Sequence, residues 1–368
     1  MKYIYIILNI SSALFIHFLL YSVWIYFYHI DNIYLQMTLG ALLFLSVVLT
    51  VLAPTLVHLY DSIVSRALYL VIALWWGLML NIALVAGALF LLEGLGIVFS
   101  FSLSDSIRVI AIGIVPLLML LPEAWAAQSH KIIRATVKIK DLPAAWAGKE
   151  VVHISDVHLG PIWRQRFYDN LVAKINSLNP AAVFISGDLF DGMETDFSWF
   201  RKRIINTSYG VYYALGNHDL NLGANRVRSL LADSGIEILE NNLKEVEGLQ
   251  ILGLTCYYEG RLDVKGKILE SVGYDDKKPS IMLYHEPKDT DAAAAAGIDL
   301  QLSGHTHAGQ MFPLNLVSKL LYSGFQVGVH NLNGFTISHT AGAGTWGPPL
   351  RLGRRSEIVL LKLEPAVK

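Results

Sequence analysis

Asp156-Val157-His158, Gly187-Asp188 with Asp191 three residues on, Gly216-Asn217-His218-Asp219, a single His285, and Gly304-His305-Thr306-His307 carry side chains that can do chemistry. All offer oxygen or nitrogen donors. The single cysteine, Cys256, excludes an intrachain disulfide and a cysteine-built zinc site. Taken singly, each cluster is ordinary. An Asp-x-His triplet arises by chance, Asp188 and Asp191 fit a helix cap, and Asn217 to Asp219 fit a turn. A His pair two residues apart after a glycine is a candidate metal site.

The context is shared. Each cluster follows a short apolar run that reads as a strand, at 151–155, 181–185, 211–215, 281–284 and 299–302. Sites in α/β sheets form at the carboxyl ends of strands, so the five clusters are expected to converge. Between the runs, Phe167, Leu171, Val172, Ile175 and Leu178 recur at helical spacing, and Pro180 ends that helix. Further helices are expected over 196–206, 223–234 and 288–296, and strands over 237–239, 244–247, 250–255, 334–339 and 356–363. This half is α/β, with some antiparallel pairing and strands packed between helical layers.

Charge divides the chain. It is 54% hydrophobic and only 16% charged, well below an average soluble domain. Residues 1–128 hold three basic side chains (Lys2, Arg66, Arg108) and five acidic ones, which leaves 26 basic and 25 acidic residues in 129–368. The net charge of −1 argues against a globally basic nucleic-acid binder. The boundary is placed at 128/129.

Four apolar runs near 3–28, 34–58, 67–92 and 107–127 each reach the roughly 20 residues that span a bilayer. Tyr and Trp crowd the ends of the first, and no small-residue cleavage site follows it, so it is read as retained. Glu93 and the stretch after it leave a fifth span open, but four are preferred. Four spans put the N-terminus and the second domain on one side, with Lys2, Arg66 and the basic residues of 131–140. By the positive-inside rule that side is cytoplasmic. No span carries a cluster of ionisable groups at its middle, so the bundle reads as an anchor rather than a transporter.

The ordered set D-x-H, G-D-x-x-D, G-N-H-D, a lone His and G-H-x-H resembles the calcineurin-like metallophosphoesterase superfamily over about 148–363. Leu142-Pro143, the run Ile154 to Gly160, and the tail Gly344-Thr345-Trp346-Gly347-Pro348 leading to Arg351 are similar to a membrane-linked bacterial group. That group includes YkuE-like phosphoesterases and UDP-2,3-diacylglucosamine pyrophosphatases of lipid A biosynthesis. The resemblance implies an all-α transmembrane bundle followed by an α/β domain whose β-sandwich is flanked by helices. It implies two divalent metals, with Asp156, His158 and His307 on the first, Asn217, His285 and His305 on the second, and Asp188 bridging. His/Asp/Asn ligation suits Mn, Fe or Zn, and carries too many imidazoles for Mg. Two such ions would clamp phosphoryl oxygens and activate a water as hydroxide.

His218, next to a ligand and of the side-chain type that exchanges protons near neutrality, is the expected general acid. The resemblance pairs it with Asp191; Asp219 is left as a supporting residue or a turn. Arg351 is the expected substrate phosphate contact, with Arg354 and Arg355 weaker. Trp163, Arg164 and Tyr257-Tyr258-Glu259 are possible cleft residues. His130, His153, His330 and His339 are left outside the site.

The expected partners are the bilayer, of the bacterial inner membrane, and a lipid-linked phosphate ester such as a UDP-diacyl-sugar. No protein partner is indicated. A nuclease lacks the basic stripe it would need, and a non-catalytic membrane sensor would not need a complete ligand set.

Overall fold

The computed structural model describes residues 2–200, 205–255, 267–322, 327–332 and 334–366. It divides into two units, Met1–Ala124 and Trp125–Lys368.

Four helices open the chain: α1 (Lys2–Tyr28), α2 (Ile33–Leu59), α3 (Ile63–Phe99) and α4 (Asp105–Gln128). Each is long and apolar enough to cross a membrane. Leu14, Phe18, Phe44, Ile97 and Leu118 point outward, as side chains solvated by lipid would. Inside, Leu20, Phe27, Leu43, Met79, Ile82 and Leu89 pack together. Asn81 at the centre of α3 donates from its amide nitrogen to Glu123 at 2.9 Å. Ser62 starts α3 with a capping box.

α3 runs 37 residues, past the expected end at 92. Glu93 does not break it, because its carboxylate meets Arg108 at 3.2 Å and the Tyr26 hydroxyl at 3.1 Å. The paired charge lets the helix continue, and the stretch that left a fifth span open forms one helix.

The second unit holds two six-stranded sheets. The first has the order β1 (Lys131–Ile139), β12 (Glu357–Pro365), β2 (Glu150–Ile154), β3 (Ala182–Ser186), β4 (Val211–Ala214), β5 (Ile236–Ile238). The second has the order β10 (Gly328–Leu332), β11 (Phe335–His339), β9 (Leu300–Ser303), β8 (Ser280–Tyr284), β7 (Leu249–Leu254), β6 (Asn242–Val246). Runs β2 to β5 and β7 to β9 are parallel, as crossover connections require. β1 matches the stretch 131–140, which the sequence also allows as a strand, whereas β10 has no counterpart among the expected elements. Both pair only at a sheet edge, and β10, half-buried to exposed along its length, carries a weak apolar signal.

Alternation along the strands builds the layers. Val151, Ala182, Phe184 and Tyr212 face Ile251, Ile281, Leu283 and Leu302 of the other sheet. Val152, Val183 and Ile185 face outward, under Phe167, Leu171 and Ile175 of α5 (Gln165–Ser177). Leu252, Met282 and Tyr284 are covered from the other side, beside Ala293 of α9 (Thr290–Ala295). The expected helix over 196–206 lies partly outside the described residues, as do Tyr257, Tyr258 and Glu259.

His153 sits between the sheets, fully buried. Its ring nitrogens lie 3.0 Å from Ser338 Oγ and 2.8 Å from Ser186 Oγ. Burial, with His339 nearby, pushes its pKa down to about 3. The imidazole is neutral in the fold, and an unfolded histidine takes up its proton below about pH 6.5. This contribution is therefore present above pH 6.5 and lost as pH falls towards 3. The loss reaches about 2–3 kcal/mol by pH 4.5. Thermal unfolding between pH 7 and 4.5 checks it: the advantage of the wild type over His153→Gln should shrink with acid. Parallel pH slopes would refute the assignment.

Candidate metal centre

The carboxyl ends of β2, β3, β4, β8 and β9 deliver the sequence-picked clusters to one place. Five of the seven expected ligands have left-handed backbone: Asp156 (φ 51°), His158 (51°), Asp188 (52°), His305 (73°) and His307 (50°). Such φ values cost about 1 kcal/mol or more per non-glycine residue and persist only where the surroundings enforce them. Here the loops lock one another. Asp156 N donates to Gly187 O at 3.0 Å, His158 N to Asp188 O at 3.1 Å, and Gly344 N to Asp156 O at 2.8 Å. A Cβ on Gly304 would collide with Ser155 Oγ and Asp156 Oδ2, so this approach requires glycine.

Two groups of donors result. In the first, His158 Nε2 and His307 Nε2 face each other at 3.0 Å, and Asp156 Oδ1 lies 3.5 Å from the latter. In the second, His285 Nε2 is 3.0 Å from Asp188 Oδ2, and His305 Nδ1 is 3.0 Å from Asn217 Oδ1. Asp188 Oδ2 is also 3.9 Å from His158 Nε2, so this carboxylate stands between the groups. His285 Nδ1 lies 2.7 Å from Ser186 O, which as its acceptor turns the ring so that Nε2 faces Asp188.

Electrostatics fit a cation. Two carboxylates, Asp156 and Asp188, are buried side by side. Burial lowers the His285 pKa, but the Asp188 and Asp156 carboxylates outweigh it and push it up to about 10. His305 is pushed down to about 4 by burial and by His285, and burial holds His307 well below its ordinary value. Neutral imidazoles and ionised carboxylates are the metal-binding forms, so a cation beside Asp188 would take the place of the proton that the carboxylates hold on His285. The buried His285 Nε2 has no hydrogen-bond partner, and the His158 and His307 Nε2 atoms converge to 3.0 Å. The donor set therefore fits divalent metal, with Asp188 standing beside both groups.

Support comes from residues whose roles the local sequence left open. Asp219 is fully buried and accepts from Asp188 N (2.7 Å), Gly216 N (2.8 Å) and Phe190 N (3.0 Å), so it holds the Asp188 loop. The Asp191 carboxylate does not hold His218. It lies 3.3 Å from His158 Nδ1, while the Asp191 backbone carbonyl is 3.0 Å from His218 Nδ1. The strand-end turn brings one residue to two imidazoles. His218 N donates to Asp188 Oδ1 at 2.8 Å, and its half-buried ring stays at the rim.

Arg351 does not face substrate. It is 1% exposed, and its guanidinium donates to Ala341 O (2.6 Å), Gly344 O (2.7 Å), His307 O (3.3 Å) and Gly342 O (3.4 Å). Those carbonyls belong to the loops behind Asp156 and His307, and they engage both terminal nitrogens of the guanidinium. Arg354 is engaged by Glu357 at 2.9 Å and Arg355 by Ser129 O at 3.1 Å. Trp163 is buried against Phe167 and Thr345 rather than lining a cleft, and Arg164 lies 3.9 Å from Asp196. Outside the donor groups, His130 Nε2 meets Ala343 O at 2.9 Å and His339 Nε2 meets Thr306 Oγ1 at 2.8 Å. His330 lies on β10.

The sequence profile of the calcineurin-like phosphoesterase family matches residues 149–309, the stretch holding every expected ligand. An uncharacterized metallophosphoesterase of Helicobacter pylori is 32% identical over 256 residues, 67% of this chain and 69% of that one. The chain belongs to the calcineurin-like phosphoesterase family. An uncharacterized metallophosphoesterase of Campylobacter jejuni is 35% identical over 230 residues, 61% of either chain, so the match spans about three fifths of that relative. A Danio rerio protein named as a transmembrane protein with a metallophosphoesterase domain is 32% identical over 258 residues, 66% of this chain and 59% of that one. The metallophosphoesterase domain of this chain thus follows four apolar helices that mark a membrane protein. Divalent metals serve the family, and the His/Asp groups described above are the candidate ligands for them here.

Proposed function

We propose that this phosphoesterase hydrolyses a phosphoester or pyrophosphate bond of a lipid-linked substrate, at a dinuclear metal centre, on the cytoplasmic face of the bacterial inner membrane. The observation that carries the reading is Asp188 standing between two donor groups with His218 at their edge. Bound ions would supply charge neutralisation for phosphoryl oxygens and a nucleophile from water. The chain's own residues do the rest. Asp219 and Ser186 orient Asp188 and His285, and Asp191 orients His158 through its carboxylate and His218 through its carbonyl. With Nδ1 directed to that carbonyl, the His218 Nε2 is free to hand a proton to the leaving oxygen.

Four spans, with Lys2, Arg66 and the basic residues of β1 on one side, support the cytoplasmic placement. Tethering at a bilayer concentrates lipid-borne esters around the site, which supports a substrate such as a UDP-diacyl-sugar. Hydrolysis of bis(p-nitrophenyl) phosphate, p-nitrophenyl phosphate and a UDP-diacyl-sugar by the detergent-purified chain, with Mn²⁺, Fe²⁺ or Zn²⁺, tests the reading. Metal-dependent turnover with preference for the lipid ester is expected. Equal use of soluble diesters would remove the lipid assignment, and no turnover with two metals bound to each chain would count against the reaction.

His218→Asn should lower kcat about 10²–10⁴-fold on esters with poor leaving groups. The loss should be far smaller on p-nitrophenyl esters, whose leaving group needs no proton. A uniform loss across leaving groups would remove the acid role.

A further inference from the structure

We infer that α10 (Leu314–Leu321), with Phe312 and Trp346, is a membrane-seated rim that holds the mouth of the metal centre at the lipid headgroup plane; this rests on the lipid-linked reading of the site. No residue of α10 is buried. Leu316, Val317, Leu320 and Leu321 recur at i, i+1, i+4 and i+5 and form one apolar stripe. Leu320 is 82% and Leu321 72% exposed. A stripe with this spacing normally lies against a core, and soluble domains rarely leave so contiguous a patch in water. Lys319 in the last turn is exposed, as a basic residue of an interfacial helix is.

The rim is fastened to the site. Gln310 exchanges hydrogen bonds with the Trp346 backbone at 3.0 and 3.1 Å. The Trp346 ring, 57% exposed, lies 5.7 Å from the His218 ring, and Tyr322 after α10 lies 5.9 Å from the His305 ring. Apolar surface therefore begins where the metal-centre residues reach solvent.

The bilayer is the occupant because one strap carries both structures. Leu352 pairs with the segment entering α10, through Phe312 N to Leu352 O and Leu352 N to Gln310 O, both at 3.1 Å. Three residues later, Arg355 donates to Ser129 O at 3.1 Å and lies 4.5 Å from the Trp125 ring. Ser356 N donates to Ala126 O at 3.1 Å. Three residues of chain reach at most about 11 Å. The base of α10 and the end of the last apolar helix therefore share one end of the catalytic unit.

The test uses the full chain in phosphatidylcholine nanodiscs, with Cys256→Ser as background and a fluorescent label on Leu320→Cys. Doxyl groups near the headgroup should cut the label's intensity to about half or less if the helix lies in the interface. A label on Lys362→Cys should stay bright, since Lys362 pairs with Glu150 at the opposite end of β2. Equal, weak quenching at both positions would overturn the proposal. So would a label at 320 that responds to protein concentration in detergent and not to lipid, which would mean a second copy covers the stripe. In a chain labelled at Leu316→Cys, the pair Leu320→Asp and Leu321→Asp should bring quenching down to the level of position 362. Its hydrolysis of bis(p-nitrophenyl) phosphate should be unchanged, which shows that the fold survives. Undiminished quenching there would also overturn it. Quenching reads insertion without any substrate, so failure of the phosphoesterase reading would show separately, as no metal-dependent hydrolysis by the wild type.

Discussion

Asp188→Asn is expected to lower kcat/KM for bis(p-nitrophenyl) phosphate by about 1,000-fold, and to leave less than two metals bound to each chain. The side chain is almost fully buried, and burial alone would raise its pKa. The His285, His158 and His218 imidazoles outweigh that and hold it below the ordinary carboxylate value. An amide keeps the shape and the bond from His218 N, but removes the charge that two donor groups share. His285 Nε2, 3.0 Å from the lost oxygen charge, would then face a neutral group. Metal analysis of the purified variant beside its kinetics checks this. Two metals retained and a rate within tenfold of the wild type would show that Asp188 is not shared.

Arg351→Met is expected to destabilise the catalytic unit by about 3–5 kcal/mol, because a buried guanidinium that satisfies several carbonyls is removed without replacement. For a unit of this size that is a fall of about 10 °C in melting temperature. Loss of metal at the His307 group should accompany it, since Arg351 holds the His307 carbonyl and the 341–344 loop behind Asp156. Calorimetry with metal analysis distinguishes this from a phosphate-binding arginine. A substrate contact would leave melting and metal content intact and raise KM alone.

The contrast between these two residues marks what was legible in the sequence. Asp188 could be picked from Gly187-Asp188 because five polar clusters, each closing an apolar strand, do not arise together by chance. Arg351 carries no such signal. An arginine after a Gly-Pro loop reads the same whether it meets phosphate or carbonyls, and only the path of residues 341–357 decides. Asp191 shows the same limit at shorter range: the resemblance paired it with His218, but side chain and carbonyl point to different imidazoles. α10 was missed because eight residues of apolar repeat beyond a G-H-x-H motif resemble a buried segment. Its exposure is a property of what does not pack on it.

The sequence by itself determined that an apolar stretch precedes a more charged one, where the main strands end in polar clusters, and which residues are the candidate ligands. Those follow from short-range rules: hydrophobic period, run length, and polar residues at strand ends. Tertiary structure alone decided which histidines face each other, which carboxylate stands between them, and which end of the unit carries α10. Those depend on two sheets stacking in register and on loops locking five ligands into left-handed backbone. Contacts between residues about 150 positions apart, such as His158 with His307, cannot be read from local pattern.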